Sequence, residues 1–479
     1  MASKKSVPLA SVPALFPGEH TALVQGDTRW TWAKLNRRAQ QWAAALQRAG
    51  VGADDLVAFA LPNGPEFFAV SFGIYMAGAT PAPLSPKLPP AEIEAILAQM
   101  QPAAKVGLLP DAVPSPDLDS KAGSWTGRIS ASWKACTSGG STGRPKVIID
   151  GRSAEFPVDA EFLEIPASRR VLVPGPLYHN GPFSAAIFAL LKGNTVLTMP
   201  KFDAEASLDI IANEKVDWAL MVPTMMQRIL RLDLSRTDLS HWNTVVHTAA
   251  PMPQSAKRQW IERFGPDHIG EVYGATEGLV RTWISGREWL DRPGSVGRAM
   301  GNARIRILAE NGSECAAGEI GEIYAMPPTG PGTSYRYLGA SRRATHDGWE
   351  SVGDIGYLDA DGFLYLADRR DDLIVSGGVN IWPAEVESAL ARHPAIVSCA
   401  VVGVPDADLG QHVHALIETS DLNLDLNRLR KFLRDYLPPE KIPRSIAVST
   451  GPVRDDAGKV RKKAVAEHYT DSKISSRPR

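Results

Sequence analysis

The sequence predicts an α/β fold: a large N-terminal region of strand–helix units with a barrel-like section, followed by a small α+β domain. Three observations carry this. Apolar strands alternate with helical stretches through the first half of the chain, which implies βαβ units and a largely parallel sheet. After about Gly286 short strands with turn signals take over. Beyond Arg369 the pattern resets, at the charged run DRRDD (368–372). These shifts divide the chain into 1–370, 371–467 and a tail at 468–479 expected to be disordered.

The elements follow in order. Trp30 to Ala49 has helical apolar spacing and ends at Gly50. LVAFALPNG (56–64) reads as a buried strand and turn, Pro65 to Ala77 as a helix, and ATPAPLSP as the next strand. VLVPGPL (171–177) precedes the apolar helix Phe183 to Leu191; NTVLTMP (194–200) precedes ASLDIIANE (206–214); WALMVPT (218–224) precedes MMQRILRL. VGRAMGNARIRIL, GEIGEIYAM and GYLDADGFLYLADRR, with its Asp-Gly turn at 361–362, make the barrel-like section. In the last part AEVESALARHP and LNRLRKFLRDYLP read as helices, and SCAVVGVPD, HVHALIET and RSIAVST as strands.

Composition narrows the function classes. At 479 residues the chain needs more than one ordinary core. Apolar residues make up 44%, charged residues 22%, and the net charge is −1, so no basic field recommends nucleic acid or an anionic membrane. Cys136, Cys315 and Cys399 lie too far apart for a zinc ribbon or disulfide framework and suit a reducing cytosol. The N-terminus lacks the apolar core of a secretory signal, and the run from Phe67 to Leu84 is too mixed to span a bilayer. A cytoplasmic enzyme is expected.

The stretch 138-SGGSTGRPK-146 concentrates glycines, hydroxyls and cations, so its backbone N–H groups are free to face an anion. It is not a Walker A loop, because Arg-Pro separates Gly143 from Lys146. Alone it also fits a plain surface turn. Downstream come 273-YGATEG-278, GWESVGDIGYLDADGFLYLADRRDD (348–372), SGGVNIWPAEVE (376–387) and DDAGKVRKK (455–463). In this order and at these separations the set resembles the AMP-forming adenylating superfamily, which includes acyl-CoA synthetases, over roughly residues 20–467. The resemblance implies a small, mobile C-terminal domain. It also implies a two-step reaction: a carboxylate attacks the α-phosphate of ATP to give acyl-AMP and pyrophosphate, and a thiol, usually that of coenzyme A, displaces AMP.

The same resemblance assigns residues. Ser138, Gly139, Gly140, Ser141, Thr142, Gly143 and Lys146 would hold the β- and γ-phosphates. Tyr273 and Gly274 would pack against adenine, with Ala249, Ala250 and Pro251 of HTAAPMP. Thr276 would contact phosphate and Glu277 would supply a Mg²⁺ carboxylate, an economical set for an ion that keeps phosphate and water ligands. Asp354 and Arg369 would bind the ribose, and Asp371 would be the hinge. Lys459 would meet the substrate carboxylate and α-phosphate, while Lys462 and Lys463 are expected to be solvated. Gly377 and Gly378 would line the thiol tunnel, although a plain glycine turn fits them equally.

The acyl pocket would be formed by His179, Asn180, Phe183, Val222, Met225, Met226, Thr248 and Ala249, and is expected to be apolar. His179 could gate it, orient the carboxylate, or be a satisfied core histidine. GPLYHNGPFSA offers no acid to an α-ammonium, which disfavours an amino-acid substrate. PGPLYHNGPF, VPTMM and YRYLGA resemble the bile-acid and steroid-acid ligase branch. The expected function is CoA ligation of a hydrophobic, ring-containing small-molecule acid. The alternative is an adenylating enzyme that serves a carrier-protein thiol or a nitrogen nucleophile. A homodimer stays open.

Overall fold

The computed structural model describes residues 6–138, 146–235, 237–421, 423–455 and 458–475. Its backbone is one long sheet that changes character along its width. Six strands run parallel in the order Ile269–Glu271, Thr244–His247, Trp218–Met221, Arg170–Val173, Thr195–Thr198 and Thr21–Gln25. The strand Thr282–Ser285 then pairs antiparallel with Ile269–Glu271 and leads into Ser295–Ala299, Leu364–Arg369, Asp354–Leu358 and Gly321–Met326. Smaller sheets flank it. One is parallel, with Leu56–Ala60 between Thr80–Pro83 and Ala104–Gly107; the other joins Ala135–Ser138, Lys146–Asp150 and Tyr335–Leu338.

Helix pairs cover these sheets, and sequence explains their fit. Thr31 caps the helix Trp32–Arg48, its hydroxyl accepting from the Lys34 N–H at 3.2 Å. Trp32, Leu35, Ala39, Trp42 and Leu46 recur at three- and four-residue spacing and bury one face. The helix Pro65–Met76 opens with proline in its first turn and is apolar all round, so it lies wholly inside. The two helices meet at Gly73, where a Cβ would stand 2.6 Å from that of Trp42.

The last part folds on its own core. Ile374, Val386, Leu390, Val401, Ala415, Ile417, Leu429 and Leu433 are buried together between a five-stranded sheet and the helices Pro383–Leu390 and Leu426–Leu433. The structure corrects two expectations here. The tail is helical as far as Ser475, within the helix Lys462–Ser475, and the Tyr469 ring lies 4.1 Å from that of His414. That aromatic contact anchors a segment whose apolar pattern is too sparse to announce a helix. Lys462 is also not a free surface lysine: its ammonium is 2.8 Å from Asp372 and 3.8 Å from Asp368.

Candidate functional site

Functional groups in open α/β sheets collect beyond the carboxyl ends of the strands. Tyr178 to Asn180 follow Arg170–Val173, Val222 and Thr224 follow Trp218–Met221, Thr248 and Ala249 follow Thr244–His247, and Tyr273 follows Ile269–Glu271. One end of the parallel sheet thus gathers four of the predicted segments.

The hairpin Asp354–Leu358/Leu364–Arg369 adds the next pair. Its register sets Asp354 opposite Arg369. The Arg369 Nε lies 3.1 Å from one Asp354 oxygen, and the Tyr273 hydroxyl donates to the other at 2.7 Å. Burial and then the Asp354 charge push the Tyr273 phenol well above its usual range, so it stays a donor. Asp354 in turn raises the Arg369 guanidinium. A carboxylate has about four lone-pair directions, so this one still has acceptor capacity for a diol.

Glu277 has a partner that the sequence did not suggest. The Tyr337 hydroxyl donates to its Oε1 at 2.6 Å, and Lys146 stands 5.4 Å over the Tyr337 ring. Tyr337 reaches this position because Tyr335–Leu338 pairs with Lys146–Asp150. Ser138 and Lys146 are register partners at the mouth of the loop between them. Gly139, Gly140, Ser141, Thr142 and Gly143 lie outside the described residues, as do the side chains of Ser138 and Asp371. No group of three or more His, Cys, Asp or Glu that could cage a metal occurs among the described residues. A single carboxylate at Glu277 fits an ion held mainly by phosphates, and does not fit an all-protein site.

The C-terminal part brings Lys459 to the same place. The Asp455 carboxylate accepts from the Lys459 N–H at 2.9 Å, and Gly458 turns with φ +75°. A Cβ at Gly458 would be 3.5 Å from Val222 and 3.8 Å from Thr224, so this turn is seated on the N-terminal region. Burial lowers the Lys459 ammonium; Asp455, Cys136 and Glu277 oppose that effect, and Arg369 adds to it. Its side chain nonetheless keeps open surface, as do those of Tyr273, Arg369 and His179. Side chains crowded by protein yet still open are what the walls of a cleft provide. Arg461 lies 3.6 Å from Glu92, and the Asp368 carboxylate accepts from the Ala384 N–H at 2.7 Å, which adds contacts across the joint.

His179 precedes the helix Asn180–Leu191, and burial, then Lys459, hold its imidazole down to about 3, which keeps it neutral. Asn180 accepts a hydrogen bond from the Lys134 ammonium, a residue not foreseen in the site. Phe183, Met225 and Met226 are buried in the packed core, with Phe183 stacked on Trp133 at 6.0 Å. Thr248 is half-buried, and Ala249 is exposed with φ +77°, a left-handed conformation costly for any residue with a Cβ. Ala250 and Pro251 follow it in the same loop. Gly377 and Gly378, at φ +56° and +83°, form the two-residue turn of the hairpin Ile374–Ser376/Val379–Ile381, with the Gly377 N–H donating to Leu409 at 2.9 Å. That turn accounts for the positive φ of both glycines.

Comparison with known proteins identifies the family and the fold. The AMP-binding enzyme model matches residues 10–128 and 135–338, and its C-terminal domain model matches 385–453. The chain belongs to the AMP-binding enzyme family, and is an enzyme of the AMP-forming acid–thiol ligase class. It is 31% identical over 94% of its length to a feruloyl-CoA synthase from Amycolatopsis sp, 96% of which is covered. It is 29% identical over 95% of its length to an indoleacetate–CoA ligase from Aromatoleum aromaticum, 96% covered. The fold matches an o-succinylbenzoate CoA synthetase from Bacillus subtilis, seen with its acyl-adenylate intermediate, with a TM-score of 0.78 at 24% identity, covering 96% of this chain and 98% of that one.

Proposed function

We propose that the protein activates a hydrophobic, ring-containing carboxylic acid with ATP and passes the acyl group to coenzyme A. The observation that carries this is the seating of the Gly458 turn against Val222 and Thr224, which brings the adjoining Lys459 into the field of Arg369 and Glu277, beside the Tyr273–Asp354–Arg369 contacts. The ring-acid class is supported by the relatives, whose names are those of feruloyl, indoleacetate and o-succinylbenzoate enzymes.

The chemistry needs positioning and charge neutralisation more than covalent help. Asp354 and Arg369 hold the ribose, and Tyr273, tied to Asp354, offers its ring to adenine. Thr276, Ser138 and Lys146 contact phosphate oxygens. Mg²⁺, when bound at Glu277, screens the phosphate charge. Lys459 draws the substrate carboxylate toward the α-phosphorus. The carboxylate oxygen bonds to that phosphorus as the bond to pyrophosphate breaks. In the second step sulfur bonds to the acyl carbon and AMP leaves. Neutral His179 borders the acid without adding charge. Acid-dependent exchange of labelled pyrophosphate into ATP tests the first step directly. Exchange with ring acids supports the reading, and none with any acid overturns it.

A further inference from the structure

Two cations meet one buried carboxylate, and a third cation lies near them. Lys134 and Asp150 are 3% and 4% exposed, with Nζ 3.4 Å from Oδ2. Arg152 grips the same carboxylate through Nε at 2.9 Å and Nη2 at 2.7 Å. The two cations hold the Asp150 carboxyl at about 2 against the opposing effect of burial. Asp150 is therefore fully occupied.

The third cation, Arg281, lies in the field of Arg152 and Asp150, but its guanidinium has no hydrogen-bond or ion-pair partner among the described residues. It is half-buried, and its guanidinium sits 4.9 Å over the Phe162 ring. A phenyl ring offers no lone-pair acceptor, so the N–H donors stay free, in the fork that suits a carboxylate. Arg281 bridges antiparallel to Gly274, and its Cγ is 3.4 Å from where a Gly274 side chain would begin. It therefore passes directly over the YGATEG segment. A half-buried guanidinium without a counter-charge is a ready partner for an arriving anion.

Asn180 presents donors from a second element. An ammonium can only donate, so Lys134 fixes the Asn180 oxygen toward itself, and Ser184 donates to the same oxygen at 3.4 Å. The amide NH₂ then points away from that pair. Arg281 offers only N–H donors, and Asn180, its oxygen taken by Lys134 and Ser184, presents its NH₂.

Building on the ligase reading above, we infer that Arg281 and Asn180 form a subsite for a second anionic oxygen group, most simply a carboxylate, on the acid substrate, remote from the carboxyl that is activated. The acid is then a ring compound with an anionic far end rather than a wholly apolar one, and Arg281 sets that specificity.

The test uses the full-length enzyme and matched acids on benzoate, cinnamate and fused-ring scaffolds, each carrying either a distal carboxylate or a methyl in its place. AMP release gives kcat/KM for each. The ratio of diacid to methyl acid does not depend on how much of a variant is folded. The expected result is a ratio of about ten or more on at least one scaffold, falling roughly tenfold to hundredfold in Arg281→Met and partly restored in Arg281→Lys. A ratio at or below one on every scaffold, or one unchanged in Arg281→Met, overturns the subsite while AMP release with the methyl acids leaves the ligase reading standing. Absence of AMP with every acid removes both.

Discussion

Replacing Lys459 with methionine should separate the two half-reactions. The side chain has an exposed surface and no carboxylate within ion-pair distance among the described residues, so its removal should leave stability within about 0.5 kcal/mol. Its catalytic worth is larger. An ammonium about 4 Å from one unit of phosphoryl charge gains about 4 kcal/mol at an effective dielectric near 20. Loss of one such donor from a preorganised site costs roughly 10²–10³-fold in rate. Lys459→Met should therefore slow acyl-adenylate formation, followed as pyrophosphate release in a single turnover, by at least about 10²-fold. Thioester formation from supplied acyl-AMP and coenzyme A should stay within about threefold of wild type, because no pyrophosphate departs in that step. Equal losses in both steps, or adenylation within about threefold of wild type, would refute the assignment.

Three further outcomes follow from particular side chains. Asp354→Asn should raise the KM for ATP about 10-fold or more while changing the KM for the acid much less, since the Tyr273 and Arg369 contacts both end on that carboxylate; a parallel rise in both constants would contradict a nucleotide role. His247 is fully buried, its ring nitrogens have no hydrogen-bond partner among the described residues, and burial, opposed by Glu271 at 3.6 Å, holds it down to about 4 from an ordinary 6.5, a difference worth about 3 kcal/mol at most. The unfolded chain takes up that proton first, so stability is complete above about pH 6.5 and is lost as pH falls toward 4; denaturant titrations should show His247→Gln with a shallower slope across that window, and an unchanged slope would remove His247 from the account. Ala249→Gly should stabilise the fold by up to about 1 kcal/mol, because glycine accepts φ +77° without the Cβ penalty; a fall in Tm would show that the loop is not strained there.

Much of the architecture was legible because local chemistry and tertiary role coincide. The Asp-Gly turn at 361–362 announced the hairpin that sets Asp354 against Arg369, and Pro65 announced the start of a buried helix. The residues that escaped act through pairings distant in sequence. Tyr337 meets Glu277 across 60 positions, and no local pattern encodes that contact. Lys134 left a clue, a lysine directly after Trp133 and before the apolar strand Ala135–Ser138, where a buried ammonium must find partners. Arg281 follows an apolar pair in LVRTW, and only the bridge to Gly274 shows what it faces. Phe183, Met225 and Met226, expected at the pocket wall, are buried side chains, and an apolar helix after a strand reads the same for a pocket wall and for a core.

The central claim is that one cleft joins a nucleotide, an acid and Lys459 so that the acid is adenylated and then thioesterified. Mass spectrometry of the products from ATP, Mg²⁺ and a panel of aryl, steroid, medium-chain and long-chain acids, each with and without coenzyme A, tests it most directly. AMP with a ring-acid thioester is expected when coenzyme A is present, and acyl-AMP with pyrophosphate when it is absent. Acyl-AMP that never becomes a thioester would contradict the acceptor, and ADP with phosphate in place of AMP with pyrophosphate would contradict the claim itself.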